Sequence, residues 1–130
     1  MKKWITGILF LFLIGCEFVP QVYDPNEYLI LVQIETNSKL IQSECDNPTG
    51  IEFRNRITKL YEDSELFKTY THYIPHNAVV AKQATVIADN IRELHDKDNF
   101  TEEYCKIKTK LIVVAAQRTL VTIGQKPRSE

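Results

Sequence analysis

The chain has 130 residues, 16 of them Lys or Arg and 17 Asp or Glu, for a formal net charge of −1. A length of this order fits one domain, and the even balance of charge argues against a surface built to hold nucleic acid or another polyanion. Four glycines in no run and three cysteines leave no phosphate-cradling loop and only a small thiol count to allocate.

In chain order, the first feature is a basic start, Lys2 and Lys3, followed by an apolar run from Ile5 to Ile14 that ends at Gly15 and Cys16. The run is too short to cross about 30 Å of hydrocarbon and has the layout of a secretory signal. Leu13-Ile14-Gly15-Cys16 resembles the lipobox of bacterial lipoproteins. The resemblance implies cleavage between Gly15 and Cys16, a signal peptide of residues 1–15, and acylation of Cys16, since stable anchoring needs more than one acyl chain. The alternative is an ordinary secretion signal with a chance cysteine at its end. Residues 16–23, with Pro20 among them, then form a lipidated N-terminus and tether. The seven residues after Cys16 reach at most about 25 Å when fully extended.

With Cys16 assigned to lipid, Cys45 and Cys105 remain as an even pair in an exported chain, and a disulfide between them is expected. Closing a loop of that length stabilises by about 4 kcal/mol in the chain-entropy account. Two buried, unpaired thiols are the alternative.

Four helices are expected between residues 24 and 124. Asp24-Pro25-Asn26-Glu27 reads as N-cap, N1 proline and a Glu at N3, and Leu31, Ile34, Ser38, Ile41 and Cys45 follow at 3-4 spacing, so a first helix runs from about Pro25 to Cys45. Asp46-Asn47-Pro48 ends it. Thr49 with Glu52 offers a second capping box, and Phe53, Ile57, Leu60, Ser64, Phe67, Thr71 and Ile74 carry a second helix to about Tyr73, before Pro75. Val80, Ala84, Ile87, Ile91 and Leu94 mark a third, to about His95. Asn99 with Glu102, or Thr101 alone, caps a fourth that reaches Gly124. Its main stripe is expected at Tyr104, Ile107, Leu111, Val114 and Val121, interrupted by Arg118, with Cys105, Ile112 and Ala116 on a neighbouring face. Leu111-Ile112-Val113-Val114 has the composition of a buried strand, but it would stand without a ladder partner in a helical chain. Residues 125–130 are expected to be a flexible tail.

Short connections make sequential helices antiparallel neighbours, so the fold class is all-α, an up-down-up-down four-helix bundle. A three-helix core with the first helix loosely docked is the alternative. The expected bridge agrees with the bundle, because the end of helix one and the start of helix four fall at the same end.

Catalytic and metal-binding patterns are weak throughout. His72 and His76 are four apart but Pro75 separates them, and no third ligand stands nearby. Asp96-Lys97-Asp98 begins like a calcium loop, yet Phe100, Thr101 and Ile107 occupy positions that need a ligand, a glycine and a glutamate. Glu62, Asp63 and Glu65 lie close together, but alternation with Lys59 and Lys68 fits paired surface charge better than an acid pair. No catalytic residue, metal or cofactor is assigned, and the chain is read as a non-enzyme. The aromatic stretch from Leu66 to Pro75 favours recognition, with Tyr70 and Tyr73 outside the core series as candidate partner-binding residues.

With the lipobox at Leu13-Ile14-Gly15-Cys16 and one bundle-length body behind a short tether, the chain resembles the small lipoproteins of bacteria and tailed bacteriophages. That group carries no established activity to this chain. It implies a place on the periplasmic side of a membrane, an envelope protein as partner, and a role in binding such as superinfection exclusion. A spanin-type lysis component of the outer membrane and a structural envelope lipoprotein are the alternatives. Glu17, rather than aspartate, follows Cys16, which points to the outer membrane.

Overall fold

Helix boundaries follow from local chemistry at each end. The computed structural model describes residues 22–99 and 101–128; the expected signal segment, Cys16 and the tether as far as residue 21 lie outside the described residues. Four helices follow: α1 Pro25–Ser43, α2 Ile51–Tyr73, α3 Ala78–Asp96 and α4 Glu102–Gly124. Asp24 caps α1, its Oδ1 accepting from the amides of Asn26 at 2.8 Å and Glu27 at 3.4 Å. The Thr101 hydroxyl caps α4 through the Tyr104 amide at 3.1 Å. Helix α2 begins one residue later than the Thr49 box suggests: Gly50 is its N-cap without a side-chain bond, and the Thr49 hydroxyl turns to Asn47 Oδ1 instead. Between α2 and α3 the chain reverses at Pro75 and His76, whose φ of 59° is a left-handed conformation that His adopts more readily than bulkier residues.

Each helix packs on its two neighbours, α1 on α2 and α4, and α3 on α2 and α4, as an up-down-up-down four-helix bundle requires. The stripes expected on the first three helices are the buried ones, from Leu31, Ile34 and Ile41 through Phe53, Ile57, Leu60 and Phe67 to Val80, Ala84, Ile87, Ile91 and Leu94. Hydroxyl residues inside these stripes meet their own hydrogen-bonding needs. Ser38 donates to the Ile34 carbonyl at 2.7 Å, Ser64 to Tyr61 at 2.8 Å and Thr71 to Lys68 at 2.9 Å, so each enters the core as a small, nearly apolar body.

Helix α4 differs from the expectation in its rotation. Its buried side chains are Cys105, Thr109, Ile112, Val113, Ala116, Thr119 and Ile123, whereas Ile107, Leu111 and Val121 of the expected main stripe are more than half exposed. Two threonines account for the difference. Thr109 donates to the Cys105 carbonyl at 2.7 Å and Thr119 to Ala115 at 2.8 Å, which makes a face that looks polar in composition compatible with the core. The same rotation brings Cys105 to Cys45, and the two form the expected disulfide, with Cα atoms 5.6 Å apart.

The two ends of the bundle are closed differently. At the disulfide end, Arg54 of α2 donates to the carbonyls of His95 (3.3 Å), Lys97 (2.9 Å) and Asp98 (2.7 Å). These are carbonyls at and just past the end of α3, where acceptors lack intrahelical donors and a cation is favoured. His95 also stacks on Tyr61 with ring centroids 4.5 Å apart. The opposite end is closed by a buried polar network.

Candidate functional site around Glu27, Asn77 and Lys126

Counting back four residues from Leu31 along the α1 stripe lands on Glu27. Its position turns the carboxylate inward, and the residue is fully buried. The capping-box role expected for Glu27 is therefore not the one it plays. A buried carboxylate needs a cation and further donors, and both come from distant parts of the chain. Lys126 Nζ lies 2.5 Å from Glu27 Oε1, and Asn77 Nδ2 donates to Oε2 at 2.5 Å. Asn77 closes the triangle: its Oδ1 accepts from Lys126 Nζ at 2.7 Å and its Nδ2 also reaches the Thr71 carbonyl at 3.2 Å. Asn77 is the N-cap of α3 but makes no side-chain cap bond there, because its amide is turned to this network.

Residues 126–128 of the expected tail make contacts with the bundle. The Lys126 side chain is only 9% exposed, the Tyr23 amide donates to the Pro127 carbonyl at 2.9 Å, and the Arg128 guanidinium sits 3.6 Å from the centre of the Tyr23 ring. A cation over an aromatic face and an ion pair in a poorly solvated site together hold the tail. Ser129 and Glu130 lie outside the described residues.

Tyr70 and Tyr73 share this end but have different surroundings. The Tyr70 hydroxyl donates to Asp24 Oδ2 at 2.7 Å and its ring is half-buried, so it joins α2 to the cap of α1. Partial burial opposes the charge on Asp24, but the Tyr70 hydroxyl, the amides of Asn26 and Glu27, and Lys126 outweigh it and hold the carboxyl below its ordinary range. The same bond to Asp24, aided by burial, pushes the Tyr70 phenol up. Tyr73 is 83% exposed and presents nearly its whole ring to solvent. Beside the network, an open cleft of about 350 Å³ is lined by His76, Asn77, Val79, Val80, Thr122, Gln125, Lys126 and Pro127.

The other groups weighed in the sequence do not converge. His72 Nδ1 donates to the Lys68 carbonyl at 2.6 Å, Asp63 is buried against Lys59 at 2.5 Å, and Glu65 meets Arg92 of α3 at 2.6 Å. Among the described residues no three His, Cys, Asp or Glu side chains are grouped to hold a metal, and no helix is long and apolar enough to cross a membrane. Asn77 and Lys126 were not singled out by sequence reasoning, and Glu27 was assigned only to the capping box of α1. The available signal was the phase of α1, which places a glutamate in line with Leu31, Ile34 and Ile41. Comparison of the chain with protein-family models, with curated proteins and with solved structures finds no match.

Proposed function

We propose that the chain is a lipid-anchored binding module of the bacterial envelope, acylated at Cys16 and held on the periplasmic side of a membrane, with an envelope protein as partner. The observation that carries this reading is the Leu13-Ile14-Gly15-Cys16 segment, standing just ahead of the folded body that the described residues begin at Val22. A disulfide between Cys45 and Cys105 suits an oxidising compartment outside the cytoplasm. Because the tether is short, the partner must present its contact site near the membrane surface. Tyr73 is the side chain best placed to meet it, being large, amphipathic and free of the core. A compact bundle suits binding better than spanin-type lysis, which favours a longer, extended, proline-rich region. Superinfection exclusion, in which a phage-encoded module occupies an envelope receptor, is the specific form of binding proposed.

The test has two arms in intact cells. Labelled fatty acid is expected on the wild-type protein and absent from Cys16→Ser, which should remain unprocessed; equal labelling of both would remove the anchor. A photoreactive residue at Tyr73 is expected to yield a discrete adduct with an envelope protein that the same group at exposed Glu62 does not. Adducts from Glu62 alone, or from neither position, would exclude this surface.

A further inference from the structure

The outward face of α4 is apolar without packing on another helix. Ile107, Leu111 and Val121 are 55%, 54% and 59% exposed, and half-buried Val114 joins them at helical spacing on the side opposite Cys105, Ile112 and Ile123. The face continues onto α3 through Val86, 51% exposed, across an open groove of about 290 Å³ bordered by Lys82, Ala115 and Arg118.

Beyond Glu103, the charge on α4 has one sign. From Tyr104 to Arg128 the chain carries Lys106, Lys108, Lys110, Arg118, Lys126 and Arg128 and no Asp or Glu. Acids from elsewhere neutralise three of them: Glu102 and Asp46 at Lys106, Glu93 at Lys108, and Glu27 at Lys126. Lys110, at the edge of the apolar stripe, and Arg118, within it between Val114 and Val121, have no acidic partner among the described residues.

We propose that this face of α4 lies on an anionic phospholipid surface, with Ile107, Leu111, Val114 and Val121 at the acyl boundary and Lys110, Arg118 and Lys82 among the headgroup phosphates. An exposed apolar stripe with unpaired cations in and beside it, whose long side chains can reach the headgroups, suits a helix held in the plane of a membrane interface. The proposal rests on the anchoring reading for its effective concentration, since a short tether keeps the domain beside the bilayer. It also fits the proposed partner surface, because α2, which carries Tyr73, does not pack on α4 and is the helix diagonally across the bundle. A second copy of the chain is disfavoured as the occupant. Antiparallel pairing of two stripes about Val114 would set Lys110 of one copy across from Arg118 of the other, and parallel pairing would oppose Arg118 to itself.

The chain holds one tryptophan, Trp4, which leaves with the signal when the protein is processed, so an introduced tryptophan reports alone. Processed Leu111→Trp protein is reconstituted in vesicles of phosphatidylcholine with or without phosphatidylglycerol, the acyl chains brominated. Quenching of Leu111→Trp is expected in the anionic vesicles and not for Glu62→Trp. Adding Lys110→Gln or Arg118→Gln is expected to lower the docked-to-free ratio about fivefold per cation, with helical circular dichroism unchanged. Equal quenching with and without phosphatidylglycerol would overturn the anionic surface. A blue-shifted Leu111→Trp in lipid-free protein of doubled mass would make a second copy the occupant. The mass of the same sample reports acylation separately. An acylated protein that is not quenched overturns the docked face alone, an unacylated protein that is quenched removes only the anchor, and one that is neither overturns both.

Discussion

Replacing Lys126 with Met tests whether the C-terminal segment is a structural part of the bundle. The substitution keeps the length of the side chain and removes its charge, leaving Glu27 Oε1 and Asn77 Oδ1 without the donor that now lies 2.5 and 2.7 Å away. Glu27 has no exposed surface of its own, so the carboxylate cannot recover its lost partner from bulk solvent without local opening. Removing one member of a buried ion pair costs about 3–5 kcal/mol. The adjoining cleft gives water a route once Lys126 is gone, which places the expected loss near about 3 kcal/mol, a large share of the roughly 5–15 kcal/mol that holds a domain folded. Urea unfolding followed by circular dichroism, without reductant, should show a lower midpoint with an unchanged slope. Lys110→Met, at an exposed site, should stay within about 0.5 kcal/mol of wild type. Glu27→Leu combined with Lys126→Met should recover part of the loss, because it removes the unpaired buried charge while leaving Asn77 Oδ1 without its donor. A loss below about 1 kcal/mol for Lys126→Met, or a double variant as unstable as the single one, would refute the argument that the tail neutralises a buried charge.

Cys45→Ala with Cys105→Ala should cost about 2–5 kcal/mol, and reductant should lower the wild-type midpoint while leaving the variant's unchanged; a wild-type midpoint insensitive to full reduction would contradict this. Tyr70→Phe should cost about 1 kcal/mol, toward the low end for a bond to a charged acceptor because solvent also reaches Asp24. Its pH dependence is fixed by two opposite shifts. The lowered carboxyl of Asp24 stabilises above the ordinary Asp range near pH 4 and loses that contribution as pH falls through its depressed value, whereas the raised phenol of Tyr70 contributes below about pH 10 and loses it as pH rises through its elevated value. The difference between wild type and Tyr70→Phe should therefore be level near neutrality and narrow at both extremes, and a difference as large at pH 2 as at pH 7 would exclude the Asp24–Tyr70 bond as its source.

The first three helices were legible because their core positions recur at 3-4 spacing and their ends carry proline or capping residues. Asp24 and Pro25 start α1, and the break at Pro75 comes just after α2 ends at Tyr73. The polar network was less legible because its members lie far apart: 50 residues separate Glu27 from Asn77 and 99 separate it from Lys126. No local pattern joins them. Asn77 carries no reading in the sequence and Lys126 reads only as part of a tail because each residue is ordinary in its own neighbourhood, and only the folded arrangement supplies the reason for both. Glu27 alone carried a local sign, its register with Leu31, and a competing local role at N3 of the helix obscured it.

Helix α4 was misread for a different reason. Hydrophobicity alone puts the most apolar stripe, Ile107, Leu111, Val114 and Val121, in the core. A covalent constraint in the sequence pointed elsewhere: if Cys105 bridges to Cys45, the face bearing Cys105 must turn toward α1, and Thr109, Ile112, Ala116 and Thr119 turn with it. Once the bridge fixes the rotation, the inner face needs only modest apolar area, because Thr109 and Thr119 bond their own helix and pack as small residues. The outer stripe is then apolar surface that the bundle does not use. Isolated exposed apolar residues need no explanation, but a run of them along one helix, bordered by Lys110, interrupted by Arg118 and extended by Val86 on α3, is a patterned surface of the kind that marks an interaction site. Placing that side against lipid would accommodate both the hydrophobic pattern that misled the reading of α4 and the excess of positive charge after Glu103.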